Sequence, residues 1–209
     1  MLRRAKRVII LFLVVLLWGL PVEAGRWVKV VKVIDGDTVI LEDGSHLRYA
    51  GINAPELHPE KGPPDPFARE AYLRNRKLTE GQRLYLEEAQ RKHDRYRRRL
   101  GYLFLPDGRM VSEVLVSEGL AMVCYYRGST KYYQRLLRLQ REAIKNRRGI
   151  FSLLENTEPY YIGNRKSLRF HRPGCPKAGK IRRKRLFNSL EEAFYAGYCP
   201  ARGCRPWPP

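Results

Sequence analysis

Five polar residues with side chains suited to phosphodiester chemistry lie within one short stretch of the sequence. They are Asp35, Asp37, Arg48, Asn53 and Glu56. Carboxylate and amide oxygens are ligands that Ca²⁺ takes in proteins, and a guanidinium binds phosphate oxygens through paired hydrogen bonds. Together such groups could carry out metal-assisted phosphodiester cleavage. Asp-Gly-Asp is also a common turn sequence, so the alternative is a solvated turn without chemistry.

The segments around these residues predict that their side chains converge. Residues 27–34 and 38–41 are rich in valine and isoleucine, which favours strands. The Glu-Asp-Gly-Ser sequence at 42–45 predicts a hairpin turn. Residues 47–52 then predict a returning strand that ends before Pro55. Because the polar residues lie near the ends of paired strands, we expect them to form one site.

The rest of the chain predicts a small barrel followed by a second, smaller unit. Further strands are expected over 83–88 and 100–105, and helices over 67–78, 111–119 and 131–146. Five short strands with a helix after the third are typical of the OB-fold. We therefore predict an α+β fold, with a five-stranded OB-fold barrel and helices over 25–153 and a small α/β module over 160–209. A module of that size needs a metal or a disulfide to stabilise it.

The charge of the chain predicts a polyanionic partner such as DNA or RNA. The 209 residues include 41 basic and 21 acidic side chains, a net charge of +20. Residues 160–209 contain 12 basic and 2 acidic side chains, so they are the most basic part per residue. A basic membrane-surface protein is the alternative, although the acidic cluster at 35–56 is unusual for that class.

The first 24 residues have the pattern of a secretory signal peptide. Four basic residues precede an apolar run over 8–20, which is short for a bilayer span, and Val22-Glu23-Ala24 is a suitable cleavage site. We predict cleavage after Ala24 and a secreted or periplasmic product with no stable membrane span. The alternative is an uncleaved segment that anchors the protein to a membrane. The sequence does not specify an oligomeric state.

The motif that contains the five polar residues resembles that of the staphylococcal nuclease (thermonuclease) family. The motif is D-G-D-T at 35–38 followed by R-x-x-G-I-x-A-P-E at 48–56, and the resemblance extends from about Trp27 to Phe151. It implies a Ca²⁺-dependent nuclease that hydrolyses DNA, RNA or both, and the predicted signal peptide implies that this nuclease is exported. The alternative is a non-catalytic OB-fold protein that binds nucleic acid, and a third option is a structural protein of the cell envelope.

The same resemblance implies which residues hold the metal. Asp37 matches the first aspartate ligand, Ala54 matches the residue whose carbonyl is a ligand, and Asp35 matches the acidic residue that supports them. Asn53 occupies the position of the second aspartate ligand. Its amide oxygen can coordinate, but one negative charge is lost. We therefore expect weaker Ca²⁺ binding or a different divalent ion.

The resemblance also implies roles for catalysis and for nucleotide contact. Glu56 matches the proposed general base, and Arg48 and Arg98 match the two arginines that bind phosphate. Arg98 is chosen from three adjacent arginines by alignment of the flanking residues, and the alternative for that run is a solvated basic turn. The positions that match nucleotide contacts in the family are Arg95, Tyr96 and Tyr125.

The C-terminal module resembles the small metal-binding module related to the Ada DNA-repair protein. The resemblance rests on G-Y-x-P at 197–200 and on the spacing of one histidine and three cysteines. His171, Cys175, Cys199 and Cys204 form a possible tetrahedral Zn²⁺ site. The alternatives are a disulfide between Cys199 and either Cys175 or Cys204, or free thiols. Cys124 lies in an apolar segment and is predicted to be a buried free thiol.

Overall fold

The computed structural model describes residues 25–59, 62–127 and 131–204, so the predicted signal peptide at 1–24 lies outside the described residues. The first part of the chain contains the strands β1 (Arg26–Asp35), β2 (Thr38–Leu41), β3 (His46–Tyr49), β4 (Ile52–Asn53), β5 (Arg83–His93), β6 (Arg99–Phe104) and β7 (Met122–Val123). Its helices are α1 (Ala68–Thr79), α2 (Val111–Ser117) and α3 (Tyr133–Lys145), followed by a 3₁₀ helix over Gly149–Leu153.

Five of these strands close into a barrel in the order β1-β2-β3-β6-β5, with β5 pairing back to β1. The pair β3 and β6 is parallel, and the other neighbouring pairs are antiparallel. Alternate residues of β1, such as Val28 and Val30, face a core that Leu47 and Leu86 complete. The predicted α+β fold with a five-stranded OB-type barrel is therefore confirmed.

The strand predicted over 47–52 is interrupted in the structure. Gly51 has a φ of 82°, a left-handed conformation that glycine adopts without strain, and the chain turns there between β3 and β4. The short β4 then pairs with β7, so that Asn53 lies opposite Met122. This second pairing brings residues 51–53 beside residues 122–124, where the Cys124 N–H donates to the Gly51 carbonyl at 2.8 Å.

Close packing fixes the loop between β1 and β2. A side-chain carbon added at Gly36 would lie 2.5 Å from the Ala54 Cβ and 2.8 Å from the Ala71 Cβ, so only glycine fits there. The buried Asn75 of α1 donates to the carbonyl of Asp35 at 2.8 Å and accepts from the Tyr49 hydroxyl at 2.8 Å. The helix therefore holds the polar hairpin end in place.

The C-terminal part forms a small sheet with one helix. Its elements are β8 (Tyr161–Asn164), β9 (Arg169–His171), β10 (Lys184–Phe187), α4 (Leu190–Tyr195) and β11 (Cys199–Pro200). The sheet has the order β10-β8-β9-β11, and β9 and β11 are parallel. Ser189 caps α4 by accepting from the backbone N–H of Glu192 at 2.9 Å, and the Glu192 side chain accepts from the N–H of Asn188 at 2.9 Å.

The two parts of the chain share a hydrophobic core. Phe151 packs against Phe194 of α4, with ring centroids 5.7 Å apart, and Phe194 packs against Phe170 of β9 at 5.3 Å. The buried Gln140 of α3 accepts from the N–H of Val123 at 2.6 Å and donates to the carbonyl of Phe194 at 2.6 Å. The C-terminal module is therefore docked on α3 and on the segment that follows β7.

A disulfide between Cys124 and Cys199 joins the same two surfaces, across 75 residues of chain. This pairing corrects two predictions: Cys124 is not a free thiol, and Cys199 bonds neither Cys175 nor Cys204. The two cysteines come together because β7 and β11 meet at the shared core, with their Cα atoms 5.4 Å apart. Among the described helices, none has the length and apolarity needed to cross a bilayer.

Candidate active site

A buried arginine organises the polar hairpin end. The Arg48 guanidinium donates from Nη1 to the carbonyl oxygens of Tyr49 at 3.2 Å and Ile52 at 3.0 Å. Its Nη2 lies 2.9 Å from Asp37 Oδ2 and donates to Asn53 Oδ1 at 2.8 Å. Arg48 is only 6% exposed, so this cation is held rigidly in a low-dielectric setting.

Hydrogen bonds join the three predicted metal-ligand residues. Asp37 Oδ2 accepts from the N–H of Ala54 at 3.1 Å, and Asn53 Nδ2 donates to the Ala54 carbonyl at 2.9 Å. Asp37 Oδ1 accepts from the Thr38 hydroxyl at 2.9 Å, which fixes the carboxylate. The structure therefore brings Asp37, Asn53 and Ala54 into one hydrogen-bonded cluster beside Arg48.

The electrostatics of this cluster fit a bound cation. Burial, and next the charge of Asp37, raise the pKa of Asp35 to about 7. Partial burial and then Asp37 also raise the pKa of Glu56, although that residue as a whole is exposed. Carboxylates that repel one another in this way are stabilised by a divalent cation. The donor set consists of oxygen atoms alone, which suits Ca²⁺.

Glu56 lies at the open side of the cluster. Its backbone N–H donates to Asp65 Oδ2 at 2.9 Å, and its carbonyl accepts from the Asp65 N–H at 2.9 Å, so the loop after β4 is braced. The charges of Arg48 and Arg98 both act on the Glu56 carboxylate. The Glu56 carboxylate is thus within electrostatic range of both predicted phosphate-binding arginines.

The three adjacent arginines point to different partners. Arg98 donates from Nε to Asp94 Oδ2 at 2.8 Å, within a turn in which Asp94 Oδ1 also accepts from the Arg98 N–H at 3.0 Å. Arg99 pairs instead with Glu88 and Asp43 on the barrel surface. Arg97 is exposed and has a φ of 66°. Of the three, Arg98 is the one whose charge reaches Glu56.

The predicted nucleotide contacts lie in two environments. Tyr96 is 53% exposed, and its ring has the guanidinium carbons of Arg95 and Arg98 at 4.7 Å and 5.5 Å from its centroid. Tyr125 is half-buried and packs edge-on against Tyr133, with ring centroids 5.9 Å apart. Tyr96 and Arg95 therefore present a cationic, aromatic surface, whereas the Tyr125 ring packs against α3.

Tyr126 is a site residue that the sequence analysis did not identify. Its ring centroid lies 5.3 Å from the Arg48 Cζ and 4.5 Å from the Cζ of Arg169 in the C-terminal module. Burial alone would raise the pKa of the Tyr126 hydroxyl, but the charges of Arg48 and Arg169 outweigh it and the pKa is lowered. Only the pairing of β4 with β7 reveals Tyr126, because nothing in its local sequence marks it.

The C-terminal module contains a second cluster of possible metal ligands. His171 Nδ1 lies 3.3 Å from Cys175 Sγ and 3.6 Å from Cys204 Sγ, and the ligand atoms of the three residues lie within 4.8 Å of one another. Burial, and then the charge of Lys177, lower the pKa of His171, which favours the neutral imidazole that binds metals. Cys199 is excluded from this cluster by its disulfide, so the predicted set of four ligands is reduced to three.

Comparison with known proteins agrees with this geometry. Residues 46–153 match the model of the staphylococcal nuclease homologues. The chain is 37% identical to a thermonuclease of Staphylococcus hyicus over 127 residues, which are 59% of this chain and 75% of that protein. It is 34% identical to a thermonuclease of Staphylococcus intermedius over 130 residues, which are 61% of this chain and 77% of that protein.

A third relative is the endonuclease YncB of Bacillus subtilis (strain 168), which is 33% identical over 126 residues. These residues are 58% of this chain and 59% of YncB, so the similarity spans less than two thirds of that protein. The match to the family model covers more than half of the chain and includes Arg48, Asn53, Glu56 and Arg98. The chain therefore belongs to the staphylococcal nuclease family.

Proposed function

We propose that this protein is an exported nuclease that depends on a divalent metal, with Ca²⁺ as its ion, and hydrolyses phosphodiester bonds of DNA and/or RNA. Membership of the family, and relatives named thermonuclease and endonuclease, support phosphodiester hydrolysis as the activity. The observation that carries the proposal is the position of Arg48. This buried guanidinium contacts both Asp37 and Asn53 and lies within electrostatic reach of Glu56.

The residues of the cluster have complementary roles in this proposal. Asp37, Asn53 and the Ala54 carbonyl would hold the cation, which when bound supplies charge neutralisation and Lewis-acid chemistry at the phosphate. Arg48 would bind a phosphate oxygen beside the cluster, and the three hydrogen bonds and one ion pair of its Nη1 and Nη2 fix its orientation before substrate binds.

Glu56 and Arg98 would complete the reaction from the open side. The raised pKa of Glu56 makes its carboxylate a stronger proton acceptor, which suits a general base that takes a proton from the attacking water. Arg98 is half-buried and is oriented by Asp94, so its guanidinium can stabilise charge that develops on the phosphate and on the leaving oxygen.

Two features support export. The predicted signal peptide at 1–24 would direct the chain out of the cytoplasm. The Cys124–Cys199 disulfide forms and persists most readily in an oxidising compartment such as the periplasm or the extracellular medium.

We also propose that the C-terminal module holds Zn²⁺. His171, Cys175 and Cys204 provide one nitrogen and two sulfur donors, the ligand types of structural zinc sites. The module is small, and a metal at this position would brace the loop between β9 and β10 against the chain that follows β11. The similarity to the Ada-type module agrees with such a role.

The proposed activity can be tested on plasmid DNA and on RNA with Ca²⁺, with Mg²⁺ and with a chelator. We expect hydrolysis with Ca²⁺ and none with chelator. Glu56→Gln should lower kcat by roughly 10²–10⁴-fold, since it removes the general base. The matched control is Glu70→Gln, an exposed acid on α1. Equal activity in both variants, or full activity in chelator, would overturn the proposal. Binding without any hydrolysis would favour the non-catalytic alternative.

A further inference from the structure

An arginine of the C-terminal module lies beside the Tyr126 ring, which also contacts Arg48, the first predicted phosphate-binding arginine. Arg169, in β9, lies with its Cζ 4.5 Å from the centroid of Tyr126, and the Cζ of Arg48 lies 5.3 Å from the same centroid. The two guanidinium carbons are therefore no farther apart than these two distances together. This upper limit is short enough for the two arginines to bind neighbouring phosphates of one strand, which rises about 3.4 Å per nucleotide along a duplex axis.

A second arginine of the module lies beside the Tyr96 ring, which also contacts Arg98, the other predicted phosphate-binding arginine. Arg202 follows β11, and its Cζ lies 5.9 Å from the centroid of Tyr96, while the Cζ of Arg98 lies at 5.5 Å. Arg202 also donates from Nη1 to the Tyr96 hydroxyl. Each of the two predicted phosphate-binding arginines thus shares a tyrosine ring with one arginine of the module.

The disulfide holds this arrangement together. Cys124 lies two residues before Tyr126, and its partner Cys199 is the register partner of Arg169 in the parallel pair β9 and β11. Arg169 Nη2 also donates to the Tyr125 carbonyl at 3.4 Å. The bond therefore connects the segment that carries Tyr126 directly to the strand pair that carries Arg169.

Two guanidinium groups meet at each of the two tyrosine rings, where their like charges repel one another. Arg98 pairs with Asp94 and Arg48 pairs with Asp37, whereas Arg169 contacts the Tyr126 ring, the Cys199 sulfur and the Tyr125 carbonyl. Guanidinium groups beside the exposed Tyr96 ring suit a polynucleotide strand, because the cations bind phosphates and the ring stacks on a base.

We propose that the substrate cleft continues from the nuclease barrel onto the C-terminal module, where Arg169 and Arg202 bind backbone phosphates that flank the scissile phosphate. This inference rests on the proposed nuclease function and names its substrate class as a polynucleotide longer than a dinucleotide. A dinucleotide contains only the scissile phosphate and has no flanking phosphate for either arginine to bind. The module therefore contributes to the affinity for long substrates and leaves the chemistry at the cation cluster unchanged.

The test measures binding of a labelled 20-nucleotide single strand to the full, oxidised chain in chelator, between 50 and 200 mM salt. We expect Arg169→Gln and Arg202→Gln each to lower the slope of log K against log salt by roughly 0.7, and the double variant by roughly 1.4. The same relation predicts a roughly eightfold loss of affinity per lost contact at 50 mM salt. Hydrolysis of a dinucleotide in Ca²⁺ should keep the parental kcat/KM in all three variants.

The control is the double variant Arg182→Gln/Arg183→Gln. Both residues are exposed and precede β10, which lies at the opposite edge of the sheet from β11. An equal fall in slope for the control would mean that the module binds through diffuse charge, and would overturn the proposal. Arg169→Lys keeps the charge and should keep the slope, so a fall equal to that of Arg169→Gln would reveal a purely structural role. If the Arg169 variants do not fold, Arg202→Gln decides alone, because Arg202 is exposed.

The two proposals fail in different ways. Failure of the nuclease function appears as a parental protein that does not hydrolyse any substrate with any divalent ion. Failure of the extended cleft appears in the binding assay in chelator, as variants that bind the 20-nucleotide strand like the parent. The binding assay does not depend on hydrolysis, so it gives an answer in either case.

Discussion

Breaking the Cys124–Cys199 disulfide should destabilise the protein substantially, because the bond closes a long loop. The perturbation is the double variant Cys124→Ser/Cys199→Ser, compared with the parent in the presence and absence of reductant. In the chain-entropy account, a cross-link lowers the entropy of the unfolded chain by an amount that grows with the logarithm of the loop length. For a separation of 75 residues, this relation gives about 4.5 kcal/mol at 25 °C.

Urea unfolding followed by far-UV circular dichroism measures this loss. With a slope of about 1–3 kcal/mol per molar urea, the midpoint should fall by at least roughly 1.5 M. Reductant should lower the midpoint of the parent to that of the double variant and should leave the double variant unchanged. The latter comparison is the control for other effects of the reductant.

A thiol titration in denaturant, without reductant, tests whether the Cys124–Cys199 disulfide is present. The parent should show two free thiols, those of Cys175 and Cys204, and two cysteines joined in the disulfide. Four free thiols would show that the bond is absent. Oxidised and reduced parents with the same urea midpoint would refute the argument that the shared core depends on this cross-link.

Three further predictions follow from individual contacts. Asn53→Asp restores a second carboxylate beside Asp37, and calorimetric titration should show Ca²⁺ binding about tenfold tighter, or about 1.4 kcal/mol; unchanged affinity would mean that the side chain at 53 is not a ligand. Gly36→Ala should lower the free energy of unfolding by about 1–3 kcal/mol in urea, because the added carbon overlaps two alanine side chains, whereas Gly174→Ala, which has open space, should be near neutral. His171→Ala should lower the zinc content of the full chain from about one ion to none by elemental analysis; a zinc-free parent would remove that site.

The barrel and the centre of the candidate site could be predicted from sequence because the information is local. Asp37 lies in the turn between β1 and β2, and Arg48 lies in β3 opposite Thr38, so the pairing of neighbouring strands places these two residues together. The β-branched residues of β1 and β2 mark the strands on which this depends. The split of the third predicted strand at Gly51 changes the path of the chain but keeps Asn53 beside Asp37.

The contacts between the barrel and the module could not be predicted, because each depends on residues far apart in the chain. Four cysteines allow three complete pairings. The short spacing of Cys175, Cys199 and Cys204 within the module favours a disulfide between Cys199 and one of the other two. The structure pairs Cys199 with Cys124 because the apolar face of α3 packs against α4 and brings β7 beside β11. Arg169 is one of many cations in a basic module, and nothing in its flanking sequence distinguishes it.

The position of the C-terminal module also explains why a basic segment would be attached to this barrel by a covalent bond and a shared core. A basic tail on a flexible linker would raise affinity for any polyanion, but its charges would have no fixed position relative to the scissile phosphate. Here Gln140 and the disulfide fix β9 and the end of β11 against the segment that carries Tyr126. Fixed cations lose less conformational freedom when a strand binds, so more of each phosphate contact appears as affinity. Rigid docking therefore lets the module extend the cleft in a defined direction, which a flexible tether would not do.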